Sequence, residues 1–334
     1  MVRPPPVSVI VTVLDERAAI EALLDSLARQ RCRPDEVVVV DGGSTDGTLE
    51  VLRERGRAGE LPLVVLERPG ANISAGRNAA IAAARGRNIA CTDAGVRLEA
   101  DWLCELTAPL AGGARFVAGF FASDPVGPFE TALGATTLPE EREIRPERFL
   151  PSSRSVAFRR QDGLAIGGYP EWLDYCEDLV FDLRMQAHAG KPVWRPGAVA
   201  RFRPRRRLAS FARQYYLYAR GDGKAGLWPR RHAVRYGVYG LAVPALTLIA
   251  AAGNAVGWLG LIGGILVMTA RPYRRLVHQW SALSTGERLA AIGWVPAVRL
   301  VGDLAKMAGS PVGVAWRLRH RPPEWRPQAG GSGS

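Results

Sequence analysis

The first part of the chain alternates between short apolar runs and segments whose apolar residues recur at helical spacing. The apolar runs cover residues 7–13, 37–40, 63–66 and 88–92. The segments with helical spacing cover residues 20–27, 48–55 and 74–85, the last one Ala-rich and followed by Gly86. This order of strand and helix predicts an α/β fold with a mostly parallel sheet that is covered by helices.

Acidic residues follow three of the four predicted strands. Asp15, Asp41 and Asp93 stand where the first, second and fourth strands end. Ligands of such sheets bind outside the carboxyl ends of the strands, so the pattern predicts a binding site at this edge. Simpler interpretations are a turn aspartate for Asp41 and helix caps for Ser44 and Asp46.

The composition of the chain predicts an anionic partner and a cellular compartment. The 334 residues carry a net charge of +12 and suit one large α/β domain with an appendage. Four cysteines without CxxC spacing suggest reduced, buried thiols and a cytoplasmic catalytic part. The first apolar run is too short for a signal peptide, which predicts that this part is not exported.

Basic residues are concentrated between 191 and 235, directly before two uncharged apolar runs at 236–252 and 256–270. With Gly253-Asn254-Ala255 between them, these runs predict a transmembrane hairpin, somewhat short for the hydrocarbon core. Arginines flank both outer ends, which places both ends in the cytoplasm. The alternative is a pair of buried helices in a soluble protein.

The remaining chain suggests a helix lying in the membrane interface. Residues 289–318 have an apolar face interrupted by charges, and Pro296 and Pro311 are expected to break the helix. Residues 330–334 have the composition of an expression linker. The predicted divisions are a catalytic domain at 1–225, the hairpin with basic flanks at 226–275, interfacial helices at 276–325 and a tail at 326–334.

Several motifs occur in an order that resembles the family 2 glycosyltransferases with the GT-A fold. They are VSVIVTVLDE, VVVVDGGSTDGT, GANISAGRNAAIAAARGRNIACTDAG, AFRRQDGLAIGGYPE and the YCED that ends at Asp178. The later RRRLASFARQYYLYARGDG resembles the membrane-attached branch typified by succinoglycan-type exopolysaccharide glycosyltransferases. The resemblance covers residues 5–235 and implies a Rossmann-like mixed sheet with C-terminal membrane helices.

The resemblance also implies roles for residues. Asp15 and Asp41 would contact the base and ribose of a nucleotide-diphosphate sugar, Asp93 would be the first acid of a DxD motif near ribose and metal, and Asp178 would be the catalytic base. The full set expected to bind the nucleotide sugar is Leu14, Asp15, Glu16, Asp41, Gly43, Arg77, Asp93, Ala94, Arg154, Glu177, Arg213, Arg220 and Lys224.

The residues themselves are compatible with Asp178 as a base for glycosyl transfer, which must take a proton from an acceptor hydroxyl. Apolar residues at helical spacing follow Asp178, which predicts that it begins a helix whose dipole keeps it ionised. Asp182, one turn later, is the competing base. Glu177 or Asp178 alone is also explained as a helix cap.

A divalent cation is the expected cofactor, but the motif departs from the family pattern because Gly95 replaces the second acid. Asp93 alone suits Mg²⁺ or Mn²⁺ brought in with the donor's phosphates. The alternative is stabilisation of the diphosphate by basic side chains. Those considered are Arg77, Arg154, Arg213, Arg220 and Lys224, with Asn78 beside Arg77. The arginines at 205–207 are expected to attract anionic membrane lipids.

Four other functions were weighed against this one. A dinucleotide enzyme would need GxGxxG after the first strand, and the acids there would repel a pyrophosphate. A non-catalytic nucleotide-sugar binder stays open, and nucleic-acid binding is disfavoured because the basic stretch adjoins the apolar hairpin. A processive synthase would carry an Arg-Trp pair that residues 213–216 lack. We therefore predict inverting transfer of one sugar to a lipid-linked or glycolipid acceptor at the cytoplasmic face of the plasma membrane.

Overall fold

The computed structural model describes residues 6–326, which form two compact units. The first unit contains the described residues up to 122, residues 141–202 and those from 323 onward, and the second contains residues 123–140 and 203–322. The predicted linker at 330–334 and the first five residues lie outside the described residues. The predicted domain divisions stay a prediction.

The first unit is built on one eight-stranded sheet within the described residues. Its strands are β1 Val7–Val13, β2 Glu36–Asp41, β3 Leu63–Glu67, β4 Asn88–Cys91, β5 Val96–Leu98, β6 Phe116–Ser123, β7 Val156–Arg159 and β8 Val193–Phe202. The order across the sheet is β3-β2-β1-β4-β7-β6-β8-β5. The first four strands are parallel, as predicted, but β7 pairs antiparallel with β4 and β6, and β5 pairs antiparallel with β8. The sheet is therefore mixed.

The helices follow the predicted order and continue into the second unit. They are α1 Ile20–Ala28, α2 Thr48–Ala58, α3 Ile73–Ala83, α4 Trp102–Ala111, α5 Gly127–Thr137, α6 Arg160–Ala165, α7 Glu177–Ala189, α8 Leu208–Ala225, α9 Pro229–Gly237, α10 Val243–Ala251, α11 Ala255–His278 and α12 Thr285–His320. Single 3₁₀ turns lie at Glu141–Glu143, Pro146–Arg148 and Trp280–Ala282. Of these helices, α5 and α8 to α12 belong to the second unit.

Both faces of the parallel half of the sheet are buried, which explains why its strands are continuous apolar runs. Val9 and Val11 of β1 face a core that includes Leu23 of α1, whereas Ile10 faces a second core that includes Phe181 of α7. On the second face, Gly76 brings α3 close to β1. A Cβ at Gly76 would lie 2.8 Å from Thr12 Cγ2, so the lack of a side chain sets the position of α3 and of the following Arg77.

Two of the four cysteines differ from the expectation of reduced thiols. Cys32 and Cys104 form a disulfide with Cα atoms 5.2 Å apart, while Cys91 and Cys176 are free and buried. The two bonded cysteines are 72 residues apart, Cys32 in the segment between α1 and β2 and Cys104 in α4, so spacing along the chain could not reveal the pair. Cysteine content therefore does not support a reducing compartment for this protein.

In the second unit, α12 packs along α8 at close range. A Cβ at Gly309 or Gly313 of α12 would lie about 2 Å from main-chain oxygens of α8, so glycine is required at this contact. The prediction that Pro296 and Pro311 break this helix is wrong, because α12 runs through both for 36 residues. Burial of Val295 and Val298 beside the first proline keeps the helix in place despite the lost hydrogen bonds.

Two helical segments of the second unit are long and apolar enough to cross a membrane, by length and composition. They are Pro229–Ala251, in which a π-helical stretch at Val238–Ala242 joins α9 to α10, and Ala255–His278. They contain the predicted apolar runs except for Ala252, and they extend into the flanking arginines. Only 6% and 17% of their apolar windows are buried, which disfavours the alternative of core helices in a soluble protein.

Candidate active site

The acids predicted to converge do follow neighbouring strands. β2, β1 and β4 are adjacent; Asp41 is the last residue of β2, Asp15 lies two residues after β1, and Asp93 lies two residues after β4. β7 runs antiparallel to β4, with Val156 opposite Cys91, so Arg154 reaches the same edge from the opposite chain direction. Thr92 Oγ1 donates to the Arg154 carbonyl oxygen at 2.9 Å and fixes this approach.

A loop at residues 41–48 connects Asp41 with Asp15. Asp41 Oδ1 accepts hydrogen bonds from the Gly43 and Ser44 amides at 2.8 Å each. Ser44 Oγ accepts from the Asp15 amide at 3.0 Å, and Asp15 Oδ1 accepts from the Thr45 amide at 2.8 Å. Gly43 has a φ of +102°, a conformation that glycine adopts without strain. Hydrogen bonds from the loop at 41–48 therefore link Asp15 to Asp41.

The interpretation of Asp41 as a turn aspartate accounts for only one of its carboxylate oxygens. Asp41 is 1% exposed, and its Oδ2 has no hydrogen-bond partner among the described residues. A buried acceptor without a partner is costly, and a ligand hydroxyl or amide would satisfy it. Asp41 is therefore the strongest candidate for contacting a nucleoside at this end of the site.

The other predicted residues of this loop region have structural surroundings. Neither Ser44 nor Asp46 caps α2, because the residue before the helix is Gly47, although Asp46 Oδ1 accepts from the Thr48 amide at 3.0 Å. Leu14 is 56% exposed, and the Glu16 carbonyl oxygen accepts from the Ala19 and Ile20 amides in the turn that precedes α1. Contacts of Leu14 and Glu16 with a ligand stay a prediction.

Arg77 connects two acids that are far apart in the chain. Its Nη2 donates to Asp93 Oδ1 and its Nη1 donates to Glu177 Oε1, each at 2.7 Å. The Arg77 side chain is 3% exposed and lies over the Tyr169 ring, 5.0 Å from its centroid. Tyr169 stacks in turn on Phe181 of α7. The sequence predicted Arg77 as a ligand contact, whereas the structure makes it a buried link between acids.

Arg154 completes the group around Asp93. Its Nε lies 3.4 Å from Asp93 Oδ2, its Nη1 donates to Ser152 Oγ at 3.2 Å, and its guanidinium lies 4.8 Å from the centroid of the Phe202 ring. The side chain is 25% exposed. The Arg154 side chain is thus more exposed than that of Arg77, while Ala94, next to Asp93, is buried.

The carboxyl groups here have different protonation. Burial alone would raise the pKa of Asp93, but the guanidiniums of Arg77 and Arg154 hold that pKa below its usual range. Burial and the charge of Asp178 raise the pKa of Glu177 to about 7. Burial also raises the pKa of Asp178, against the opposing effect of both arginines. Asp93 is therefore ionised at neutral pH, whereas ionisation of Glu177 and Asp178 is less favourable than for an exposed carboxyl group.

Asp178 lies in the first turn of α7, as predicted, and burial raises its pKa above the usual range, opposite to the direction expected from the helix dipole alone. Burial beside other acids outweighs the dipole, which is worth only about 0.3–1 kcal/mol at most helix ends. The side chain of Asp178 is partly exposed, with Oδ1 accepting from the Leu179 amide at 2.9 Å.

Asp182, the competing base, is completely buried, and neither of its carboxylate oxygens has a hydrogen-bond partner among the described residues. Burial raises the pKa of Asp182 well above its usual range, which favours the neutral form, and the side chain is inaccessible. Asp178 therefore remains the acid of α7 that can face an acceptor. A base is most effective with a pKa near the working pH, which the raised pKa of Asp178 favours.

Three predicted contacts lie on α8 of the second unit. Arg213 is exposed, Arg220 is partly buried, and Lys224 is 9% exposed with its Nζ 4.7 Å from the centroid of the Trp316 ring. Their participation in donor binding stays a prediction. Sequence reasoning missed Tyr169 and Ser153, whose hydroxyls lie 2.9 Å apart beside Arg77, because residues that act through packing leave no motif.

The residues at the edge do not fit a divalent cation held by the protein. Asp93 already has Arg77 at one carboxylate oxygen and Arg154 near the other, and Glu177 Oε1 accepts from Arg77. Residues 6–326 contain no group of three or more His, Cys, Asp or Glu side chains suited to a metal. Gly95 has no side-chain ligand at the position where the family pattern has a second acid.

Comparisons with known proteins agree with this architecture. The sequence model of the family described as glycosyl transferase family 2 matches residues 8–162. The succinoglycan biosynthesis protein ExoA of Rhizobium meliloti (strain 1021) is 31% identical over 237 residues, which are 65% of this chain and 68% of that protein.

Two solved structures share the fold at lower identity. The mannosyltransferase PcManGT from Pyrobaculum calidifontis, in complex with GDP-Man and Mn²⁺, is 20% identical, with 96% of this chain and 88% of that chain covered at a TM-score of 0.54. Residues 1–349 of S. aureus TarS in complex with UDP are 19% identical, with 88% and 90% covered at a TM-score of 0.51. With these similarities, the fold is GT-A, and the chain belongs to the family 2 glycosyltransferases.

Proposed function

We propose that this glycosyltransferase moves a single sugar, with inversion, from a nucleotide-diphosphate sugar to a hydroxyl of a lipid-linked acceptor in polysaccharide or glycolipid assembly. The observation that carries the proposal is the convergence of Asp41, Arg77, Asp93, Arg154 and Asp178 on the carboxyl edge of one sheet. The similarity to a succinoglycan biosynthesis protein, and the GDP-Man and UDP bound by proteins of the same fold, support the donor class.

The acceptor would be activated by Asp178. Asp178 Oδ2 takes the proton of the acceptor hydroxyl while that oxygen attacks the anomeric carbon of the donor sugar. The bond from the anomeric carbon to the diphosphate oxygen breaks, and the departing nucleoside diphosphate keeps the electron pair. One displacement at one carbon inverts its configuration. Glu177 is bonded to Arg77 and Asp182 is buried, so neither is offered as a nucleophile for a second displacement.

Membrane attachment supports the lipid-linked acceptor. Two apolar helices long enough to span a bilayer follow the basic stretch, and an enzyme with a soluble acceptor gains little from such an anchor. Arginines at the outer ends of both helices favour a cytoplasmic active site at the plasma membrane, with anionic lipids as neighbours. Sugars added on this face are consistent with donors made in the cytoplasm.

The direct test is Asp178→Asn in the full-length protein in detergent or membranes. We expect kcat for sugar transfer to fall by about 10²–10⁴-fold, since the general base is lost. Asp182→Asn is the matched control on the same helix, because an amide resembles the protonated acid already present, and we expect its kcat to stay within a few-fold. Equal rates for the wild type and Asp178→Asn would refute Asp178 as the base.

Two further readouts test the remaining parts of the proposal. The anomeric configuration of the product, measured by NMR with a donor of known configuration, should be inverted. The enzyme should add one sugar to a lipid-linked acceptor and show little transfer to the same glycan without its lipid. Retention of configuration would contradict the inverting mechanism, and a ladder of products would contradict the addition of a single sugar. Equal use of the soluble glycan would contradict the lipid-linked acceptor.

A further inference from the structure

The departing diphosphate needs positive charge, and the structure shows which cation around Asp93 can supply it. Arg77 is buried, and its two terminal nitrogens are committed to Asp93 and Glu177 by hydrogen bonds of 2.7 Å. Arg154 has a looser ion pair, 3.4 Å from Asp93 Oδ2, and a quarter of its side chain is exposed. Of the two guanidiniums, Arg154 is the more accessible to an incoming phosphate.

The surroundings of Arg154 suit a phosphate-binding role. The chain enters the sheet edge directly before β7, where Thr92 Oγ1 holds the Arg154 carbonyl oxygen. The aromatic ring of Phe202 supports one face of the guanidinium, and Ser152 Oγ accepts from Nη1. A partly exposed planar guanidinium with one face supported suits the fork-like geometry with which arginine binds phosphate oxygens.

The same contacts work against a metal at Asp93. A divalent cation would have to displace Arg77 from Asp93 Oδ1, which would leave the buried guanidinium with one acid fewer. The exposed Gly95 offers no oxygen ligand from a side chain, and a Cβ built there meets nothing within 4 Å. Position 95 therefore has space for an acidic side chain, but the residue there is glycine.

We propose that Arg154 holds the donor's diphosphate in place of a protein-bound divalent cation, with Arg77 as the positioning residue that keeps Asp93 fixed beside it. This inference rests on the proposed function of the site and specifies its charge chemistry. As the bond to the anomeric carbon breaks, the negative charge that develops on the diphosphate is met by the Arg154 guanidinium. Arg77 acts through Asp93 and does not touch the donor.

Nucleoside diphosphate binding provides a test that does not depend on transfer. The full-length protein is titrated with UDP, GDP, ADP and dTDP by calorimetry, each with EDTA and with Mn²⁺. We expect the affinity of the best diphosphate to be the same within about twofold in both conditions, and Arg154→Ala to weaken it about 10- to 100-fold, the loss of a charge-assisted contact. The matching nucleoside without phosphates should bind both proteins equally.

Replacement of Gly95 tests the missing acid directly. Gly95→Asp restores a second carboxylate in open space, so we expect Mn²⁺ to raise diphosphate affinity several-fold in this variant. Gly95→Asn has the same shape without the charge and should show no response. Arg154→Lys should recover part of the affinity lost in Arg154→Ala, which separates a charge effect from a folding defect.

The outcomes separate this inference from the proposed function. Transfer that survives EDTA and falls with Arg154→Ala supports both. Wild-type binding or transfer that drops more than tenfold in EDTA and returns with Mn²⁺ would overturn the metal-free assignment while leaving glycosyl transfer intact. Unchanged diphosphate binding in Arg154→Ala would overturn the role of Arg154. Diphosphate binding that depends on Arg154, with no sugar transfer to any acceptor, would contradict the proposed function alone.

Discussion

The two ends of the active-site edge use carboxylates in different ways. At the Asp15 and Asp41 end, the acids accept hydrogen bonds from main-chain amides of the loop at 41–48. At the Arg77 end, Asp93 and Glu177 instead accept from one buried guanidinium. Asp41 and Asp93 both lie at strand ends of the same sheet, so the difference lies in which donors surround each acid.

This difference separates recognition from chemistry. Main-chain amides fix the shape of a loop without changing its charge, which suits selection of a nucleoside by one remaining acceptor on Asp41. Burial and a neighbouring acid shift protonation at the other end, where burial and Asp178 raise the pKa of Glu177 to about 7 against the opposing effect of Arg77. A region that must exchange a proton needs such coupled charges, and a region that only recognises a shape does not.

The largest effect is expected from removing the link at the chemical end. Arg77→Leu leaves Asp93 and Glu177 without their buried partner and should lower the free energy of unfolding by about 3–5 kcal/mol. Arg31→Leu is the control, because its ion pair with Asp101 is largely exposed and worth at most about 1 kcal/mol. Thermal and urea unfolding measure both, and equal stability of the two variants would contradict the central role of Arg77.

A smaller effect, confined to ligand binding, is expected at the recognition end. In Asp41→Asn the amide oxygen still accepts from Gly43 and Ser44, but the second oxygen becomes a donor. Affinity for the nucleoside part should fall by about 1.5–3 kcal/mol, the value of a hydrogen bond to a charged group. Calorimetry with nucleosides measures this loss. Asp46→Asn, in the same loop, is the control, and a similar loss there would assign the effect to loop shape instead of Asp41.

The smallest effect is a shift in pH dependence. In the wild type, the pair of Glu177 and Asp178 should lose a proton near pH 7, so kcat/KM should rise as the pH increases through this range. Glu177→Gln removes the negative neighbour that opposes ionisation of Asp178, so the rising limb should move to lower pH. Glu67→Gln on the surface is the control. A limb that stays in place or moves to higher pH would contradict the coupling of the two acids.

The sequence predicted the recognition end better than the chemical end. β1 was predicted with the bounds that the structure shows, and the acids after β1, β2 and β4 were placed correctly, because a buried parallel strand is a run of apolar residues that ends where polar residues begin. The antiparallel half of the sheet was not assigned, since β5 to β8 are separated by long segments and pair out of chain order.

The chemical end depends on contacts between distant residues. Arg77 and Glu177 are separated by 100 positions, and no periodicity indicates that they meet. The effect of burial on the pKa of Asp178 and the disulfide of Cys32 with Cys104 were missed for the same reason: both follow from three-dimensional packing. The helix at Asp178 was predicted, because its apolar spacing is local.

The glycine contact between α8 and α12 has a mechanical consequence. Where Gly309 and Gly313 meet α8, main chain touches main chain, and there are no side chains there to change rotamer and absorb a displacement. Sliding or rolling one helix against the other would bring backbone atoms into collision, so α8 and α12 form a rigid helix pair. Exposed basic side chains of α8, such as Arg213, therefore keep fixed positions relative to α12.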